Sequence, residues 1–172
     1  MLYGLGCLFI ICATTIIGFI LGENYKKRSM QLSEIERVVY ELENDIVYTY
    51  TPLPQALENI SKKSLFPVNE ILYSISSMLQ NNDVDGVYDA FVKAFSQKKE
   101  YLCLKNEDIN ILTDFSKTLG QTDIEGEKKV FALTHEKLKK QISKAEILMD
   151  KNVKMYRYLG FSLGAVIIIL LL

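Results

Sequence analysis

The sequence predicts an all-α protein, a helical bundle of about six helices with N- and C-terminal transmembrane helices. Three observations carry that prediction. Apolar residues recur at spacings of three and four through the middle of the chain, the period of a helix with one buried face. No stretch alternates apolar and polar residues as a half-buried strand does. Every Lys, Arg, Asp and Glu lies between Glu23 and Arg157, which leaves an uncharged run at each end.

The first element is the run "MLYGLGCLFIICATTIIGFIL". An uncharged apolar helix of about 20 residues crosses a hydrocarbon core of about 30 Å, so residues 1–22 read as a transmembrane helix. A cleaved signal peptide is the competing reading. It needs a basic start and a small-residue cleavage site, and neither is seen between Met1 and Leu21. The last run, residues 158–172, covers only roughly 22 Å as a helix. Met155 and Tyr156 extend it if Arg157 snorkels to the headgroups, and local thinning of the bilayer supplies the rest. A terminal helix packed in a soluble core is the alternative, but "AVIIILLL" offers no polar face. Lys26, Lys27 and Arg28 follow the first run, and Lys151, Lys154 and Arg157 precede the second. Both basic flanks belong to residues 23–157, and by the positive-inside rule that segment faces the cytoplasm.

The helices of residues 23–157 follow in order. Leu32, Ile35, Val39, Leu42 and Ile46 form one stripe. The helix that carries them either continues from the first run or breaks near Ser33, which with Glu36 matches a capping box. Thr51 and Pro52 read as a cap and first turn for a short helix through Ala56, Leu57 and Ile60, although Pro54 disfavours helical geometry at Leu53 and moves the start later. After Pro67, a residue suited to a first helical position, Val68, Ile71, Leu72, Ile75 and Leu79 form the next stripe. The loop "QNNDVDG" offers Asp83 as a cap for a helix through Val84, Val87, Tyr88, Phe91 and Phe95. Asn106, with Glu107 and Asp108 in the first turn, opens a helix through Ile109, Leu112, Phe115 and Leu119. Gly120 then supplies the left-handed residue that ends it, and Thr122 with Glu125 forms the capping box of the next. From Asp123 one stripe, Phe131, His135, Leu138, Ile142, Ala145, Met149, Val153 and Tyr156, runs without a proline into the last run.

The chemistry indicated is sparse. A formal net charge of -1 gives no basic stripe for nucleic acid. The chain has three cysteines, Cys7 and Cys12 in the first run and Cys103 in "YLCL", with no C-x-x-C pair; Cys103 reads as a small core residue in a reducing compartment. The one histidine, His135, lies on an inward stripe and no H-E-x-x-H pattern supplies it with a second histidine. No zinc-protease, phosphate-loop or G-x-S-x-G motif occurs. No catalytic residue, metal ligand or cofactor is indicated, so the chain does not read as an enzyme. Gly18 with Gly22, and Gly160 with Gly164, place a G-x-x-x-G in each terminal run, a spacing that lets helix backbones approach closely within the chain or across a dimer. Gln121, Asp123 and Glu127 in the turn after Gly120 form a candidate partner-docking patch, which competes with their role as caps and solvated charge.

Taken together, "GCLFIICATTIIGF", "YTPLPQAL", "FSKTLGQTDIEGEKK" and "KMYRYLGFSLGAVIIILLL" resemble the stage III sporulation protein AB family of endospore-forming bacteria over nearly the full chain. Glu127 departs from the glutamine expected there, which bears on the polar contacts of that turn. The resemblance implies a component of the channel-like assembly between mother cell and forespore, on the mother-cell side of the outer forespore membrane. It implies that residues 23–157 are similar to the cytoplasmic helical domain of the platform protein of type II secretion and type IV pilus machines. The implied partners are a cytoplasmic secretion-type ATPase like the stage III sporulation protein AA, other membrane proteins of the channel complex and the membrane itself. Platform proteins carry two such domains and this chain one, so a homo-oligomer would supply the second copy. The contrasting expectation is a static membrane tether or oligomerisation module with no motor partner.

Overall fold

In the computed structural model the backbone is described for residues 2–120 and 123–171, with side chains except at residues 2–12, 14–15, 157, 160–161, 163–165 and 167–171. The described residues fold into six α-helices and contain no strand. They are α1 (Leu2–Glu43), α2 (Leu53–Ser61), α3 (Val68–Gln80), α4 (Val87–Gln97), α5 (Asn106–Thr118) and α6 (Ile124–Leu171). A π-helical turn, Asn44–Tyr48, follows α1, and a 3-10 turn, Lys99–Tyr101, follows α4. Two compact units result: Met30–Ile142, and Met1–Ser29 with Ser143–Leu172.

In the first of these units α2 packs on α3, α3 on α4 and α4 on α5. The periodic residues drive this. Leu32, Leu57, Ile75, Leu119, Phe131 and Leu138 are almost fully buried, and each such side chain contributes roughly 1.5–3 kcal/mol relative to exposure. Phe115 of α5 meets Phe131 of α6 edge-on, with ring centroids 5.1 Å apart. The Ser76 hydroxyl of α3 donates to the Pro54 carbonyl at 2.7 Å and ties α3 to the start of α2.

The expected stripes hold with local shifts that have physical causes. α1 runs unbroken through Ser33, so that residue does not cap a new helix. At its end the π-helical turn inserts an extra residue, with Thr49 N–H donating to the Asn44 carbonyl at 3.1 Å. The inward position therefore passes from Ile46 to Val47, which is buried where Ile46 is half-buried. α2 begins at Leu53 with Pro52 at the cap position and Pro54 inside the first turn, where a missing N–H costs no hydrogen bond. Pro67 precedes α3 by one residue, and its inner face ends on Met78 where the spacing indicated Leu79.

Asp83 closes α3 and does not open α4: its N–H donates to the Met78 carbonyl at 2.9 Å, and α4 starts at Val87 after Gly86. Ala90 and Ala94 replace Val84, Val87 and Tyr88 on the buried face of α4. Tyr88 is exposed, with the Lys117 ammonium 5.1 Å from its ring centre. α5 starts at Asn106 with Lys105 at the cap position, because buried Asp108 reaches back to accept the Lys105 N–H at 2.8 Å and no cap side chain is needed.

In the unit of Met1–Ser29 with Ser143–Leu172, α1 packs on α6. At Gly22 α1 comes against α6: a methyl group on it would lie 3.6 Å from Val153 Cα, ordinary contact distance that leaves room for nothing larger. Tyr25 and Tyr156 stack beside it, with centroids 5.9 Å apart and planes at 26°. Gly18 is buried, whereas Gly160 and Gly164 lie outside the described side chains. Among the described residues no helix is long and apolar enough to cross a membrane. The two expected spans, residues 1–22 and 158–172, fall largely outside the described side chains.

Candidate partner-docking turn

The turn between α5 and α6 is built from backbone geometry outward. Leu119 N–H donates to the Phe115 carbonyl at 3.2 Å and closes α5. Gly120 follows at φ +79°, a left-handed conformation that a side chain would strain. Gln121 and Thr122 lie outside the described residues. Asp123 then caps α6: its Oδ1 accepts the Gly126 N–H at 2.9 Å, and its carbonyl accepts the Glu127 N–H at 2.9 Å. The cap position thus falls on Asp123, one residue after the Thr122 that the sequence indicated.

The three residues of the sequence-derived patch have different fates. Asp123 is exposed, and Gln121 is not described. Glu127 is only 5% exposed, and its Oε1 accepts the Gly120 N–H at 2.6 Å, so it buckles the turn onto α6 from beneath. A partner meeting this turn meets Gly120, Asp123, Ile124 and Glu125, all of them exposed. Ile124, at 44% exposure, is a large apolar side chain in an otherwise acidic tip.

Lys128 pairs with Glu125 at 2.9 Å, and that hydrogen bond, reinforced by the Glu125 charge and the nearby phenols of Tyr48 and Tyr50, holds the ammonium above its ordinary range. Tyr48 and Tyr50 are exposed by 64% and 69%, and Tyr50 sits at φ 55°. Exposed tyrosines combine a large apolar face with a hydrogen-bonding tip, the composition of interface anchors. Such residues carry no motif, because an exposed tyrosine is marked only by its surroundings in the fold.

His135 is only 8% exposed and packs as a structural residue. Its Nε2 lies 3.0 Å from Glu43 Oε2 and its ring stacks on Tyr40 at 3.7 Å between centroids. Neither neighbour is a nucleophile poised for attack. Cys103 is half-buried and its backbone N–H donates to Gln31 Oε1 at 2.8 Å. Among the described residues no group of three His, Cys, Asp or Glu is placed to hold a metal ion. The apolar core leaves a void of only about 30 Å³, lined by Leu42, Leu57, Ile75 and Phe115 among others.

The comparisons agree with one another. A family model described as Stage III sporulation protein AB matches residues 4–172. The chain is similar to the Stage III sporulation protein AB of Bacillus subtilis (strain 168), at 34% identity over 174 residues and 100% of each chain. It is also similar to a solved structure of a Stage III sporulation protein AB, with TM-score 0.65 and 26% identity, over 71% of this chain and 95% of that chain.

Proposed function

The chain belongs to the stage III sporulation protein AB family, and from that premise we propose that it is a non-enzymatic membrane platform that docks a cytoplasmic secretion-type ATPase. The observation that carries this reading is the continuity of α1 and α6. α1 has 42 residues and α6 has 48, and each passes without a break from the bundle into an apolar terminal run. An unbroken helix of this kind is the form expected of a link between a docking domain and a membrane anchor. The basic flanks around Lys26 and Lys154 support placement of residues 23–157 in the cytoplasm, with residues 1–22 and 158–172 in the membrane. Membership in a sporulation family supports the mother-cell face of the outer forespore membrane as the site of action.

The docking residues on this reading are the exposed Asp123 and Ile124 of the α5–α6 turn, with the exposed Tyr48 and Tyr50 after α1 as further candidates. The described residues on either side of the turn are tied down, Gly120 by Glu127 and the start of α6 by Asp123. Groups already held in place lose little entropy when a partner binds. The test is a titration of the full-length protein in nanodiscs against the stage III sporulation protein AA-like ATPase. Saturable binding that falls in Asp123→Lys and Tyr50→Ala supports the proposal. Binding unchanged in both moves the interface elsewhere, and no binding by the native protein favours a static tether.

A further inference from the structure

Two loops of the Met30–Ile142 unit are held side by side by buried polar residues of α1. Glu34 Oε1 accepts the Leu65 N–H at 2.9 Å. Gln31 Nε2 donates to the Tyr101 carbonyl at 3.1 Å, while its Oε1 accepts the Cys103 N–H. Gln31 and Glu34 are 8% and 9% exposed, so α1 commits two polar side chains to the interior solely through these loops and Arg37. What the loops present outward is apolar. Leu65 is 63% exposed, Phe66 57% and Tyr101 50%, and the rings of Phe66 and Tyr101 meet edge-on at 5.4 Å.

An anchored, exposed apolar tip of this kind needs a cover, and its charge surroundings identify one. The segments "KKSLF" (62–66) and "KKEYLCLK" (98–105) carry five lysines and one glutamate, in a chain whose formal net charge is -1. Lys62 and Lys98 pair with Glu58 and Glu70, whereas Lys63 and Lys99 make no ion pair among the described residues and are both exposed, so these two carry the positive charge of the tip. Lysines around exposed Leu, Phe and Tyr side chains suit an anionic lipid surface: the aromatic rings sit at the headgroup level and the ammonium groups meet the lipid charge. A second copy of this chain or an acidic protein would meet a flat interface more readily than two narrow tips.

We propose that Leu65, Phe66 and Tyr101 form a lipid-facing tip that enters the headgroup layer of an anionic bilayer, with the lysines of the two loops around it. The tip adds a second point of contact with the bilayer beside the terminal runs. This rests on the two-span reading above, which supplies the nearby bilayer.

The experiment uses the full-length chain with Cys7, Cys12 and Cys103 replaced by serine and one new cysteine carrying an environment-sensitive fluorophore. One variant is Leu65→Cys. The control is Asn81→Cys, an exposed position at the far end of α3. Both are reconstituted in phosphatidylglycerol-rich and in pure phosphatidylcholine vesicles containing spin-labelled lipid. The fluorophore at 65 is expected to shift to the blue and be quenched by lipid in the anionic vesicles, while that at 81 stays in water. Lys63→Gln and Lys99→Gln should each lower the docking equilibrium by roughly fivefold. A water-exposed label at 65 in both lipids, in a chain that resists carbonate extraction, overturns the tip and leaves the two spans standing. Lipid quenching at 65 in a chain that carbonate removes supports the tip and overturns the spans. Shielding at 65 that rises with protein-to-lipid ratio identifies a second copy as the cover and overturns the proposal.

Discussion

His135 Nε2 lies 3.0 Å from Glu43 Oε2, a contact that spans 92 positions of sequence and joins α6 to the last residue of α1. The Tyr40 ring covers the imidazole at an angle of 20°. Removing either polar partner leaves the other buried with an unmet hydrogen bond, so the two losses are not independent. Glu43→Ala and His135→Ala should each destabilise the full-length protein, and the double variant by less than their sum. A coupling energy of about 0.5–3 kcal/mol is expected for residues in direct contact. Denaturant unfolding in detergent measures all four corners of the cycle, and strict additivity would mean that the contact carries no energy.

Glu34 is the polar hinge of the same helix. Arg37 donates to both of its oxygens, at 3.0 and 2.6 Å, and Leu65 N–H adds a third hydrogen bond. These donors, Arg37 first, hold the Glu34 carboxyl below the usual carboxylate range, against the opposing effect of burial. A lowered folded-state pKa stabilises the protein fully above the unfolded value of about 4.3, and that contribution drains away as pH falls through the folded value. Stability should therefore decline on acidification below about pH 4.3, and Glu34→Gln should flatten part of that decline while lowering stability at neutral pH. Melting temperatures of both proteins between pH 3 and 7 are the measurement, and parallel curves would remove Glu34 as a contributor.

The helices were legible because their cores obey one period: Leu32, Ile35, Val39 and Leu42, or Phe115 with Leu119, needed only spacing to be found. The errors arose where a backbone event broke the period. The π-helical turn that brings Val47 inward in place of Ile46 leaves no mark on composition. Caps proved hard for a related reason, since Asp108 and Asp123 each do the work the sequence assigned to a neighbour one or two residues earlier. The surface was least legible. Glu127 looks like a solvated charge until Gly120 N–H is seen beside it, and the Leu65, Phe66 and Tyr101 tip joins segments that nothing local connects.

Gly22 gives a prediction with opposite signs for two substitutions. A Cβ there sits at ordinary contact distance from Val153, so Gly22→Ala fits and removes the helix-interior penalty of glycine, about 0.5–1 kcal/mol. Gly22→Leu must push α1 from α6 and should cost about 1–3 kcal/mol as overpacking. Thermal unfolding of the full-length protein in micelles should place alanine at or above the native chain and leucine below it. Equal melting for both variants would show that the helices do not need the close approach.

The α5–α6 turn allows its structural and docking roles to be separated residue by residue. Glu127→Ala withdraws the buried acceptor of the Gly120 N–H, and leaving that donor unmet should cost about 1–3 kcal/mol. Asp123→Ala removes a helix cap and should cost about 1 kcal/mol. Asp123→Asn is the informative variant, because asparagine caps as well as aspartate while its charge is gone. Its melting temperature should match the native protein. If the exposed Asp123 carboxylate meets a basic surface on the ATPase, affinity falls in Asp123→Asn with stability intact and falls less steeply with added salt than in the native complex. A loss of affinity confined to Asp123→Ala and Glu127→Ala, with Asp123→Asn binding as the native protein does, would assign the turn to folding alone and leave Tyr48 and Tyr50 to carry the contact.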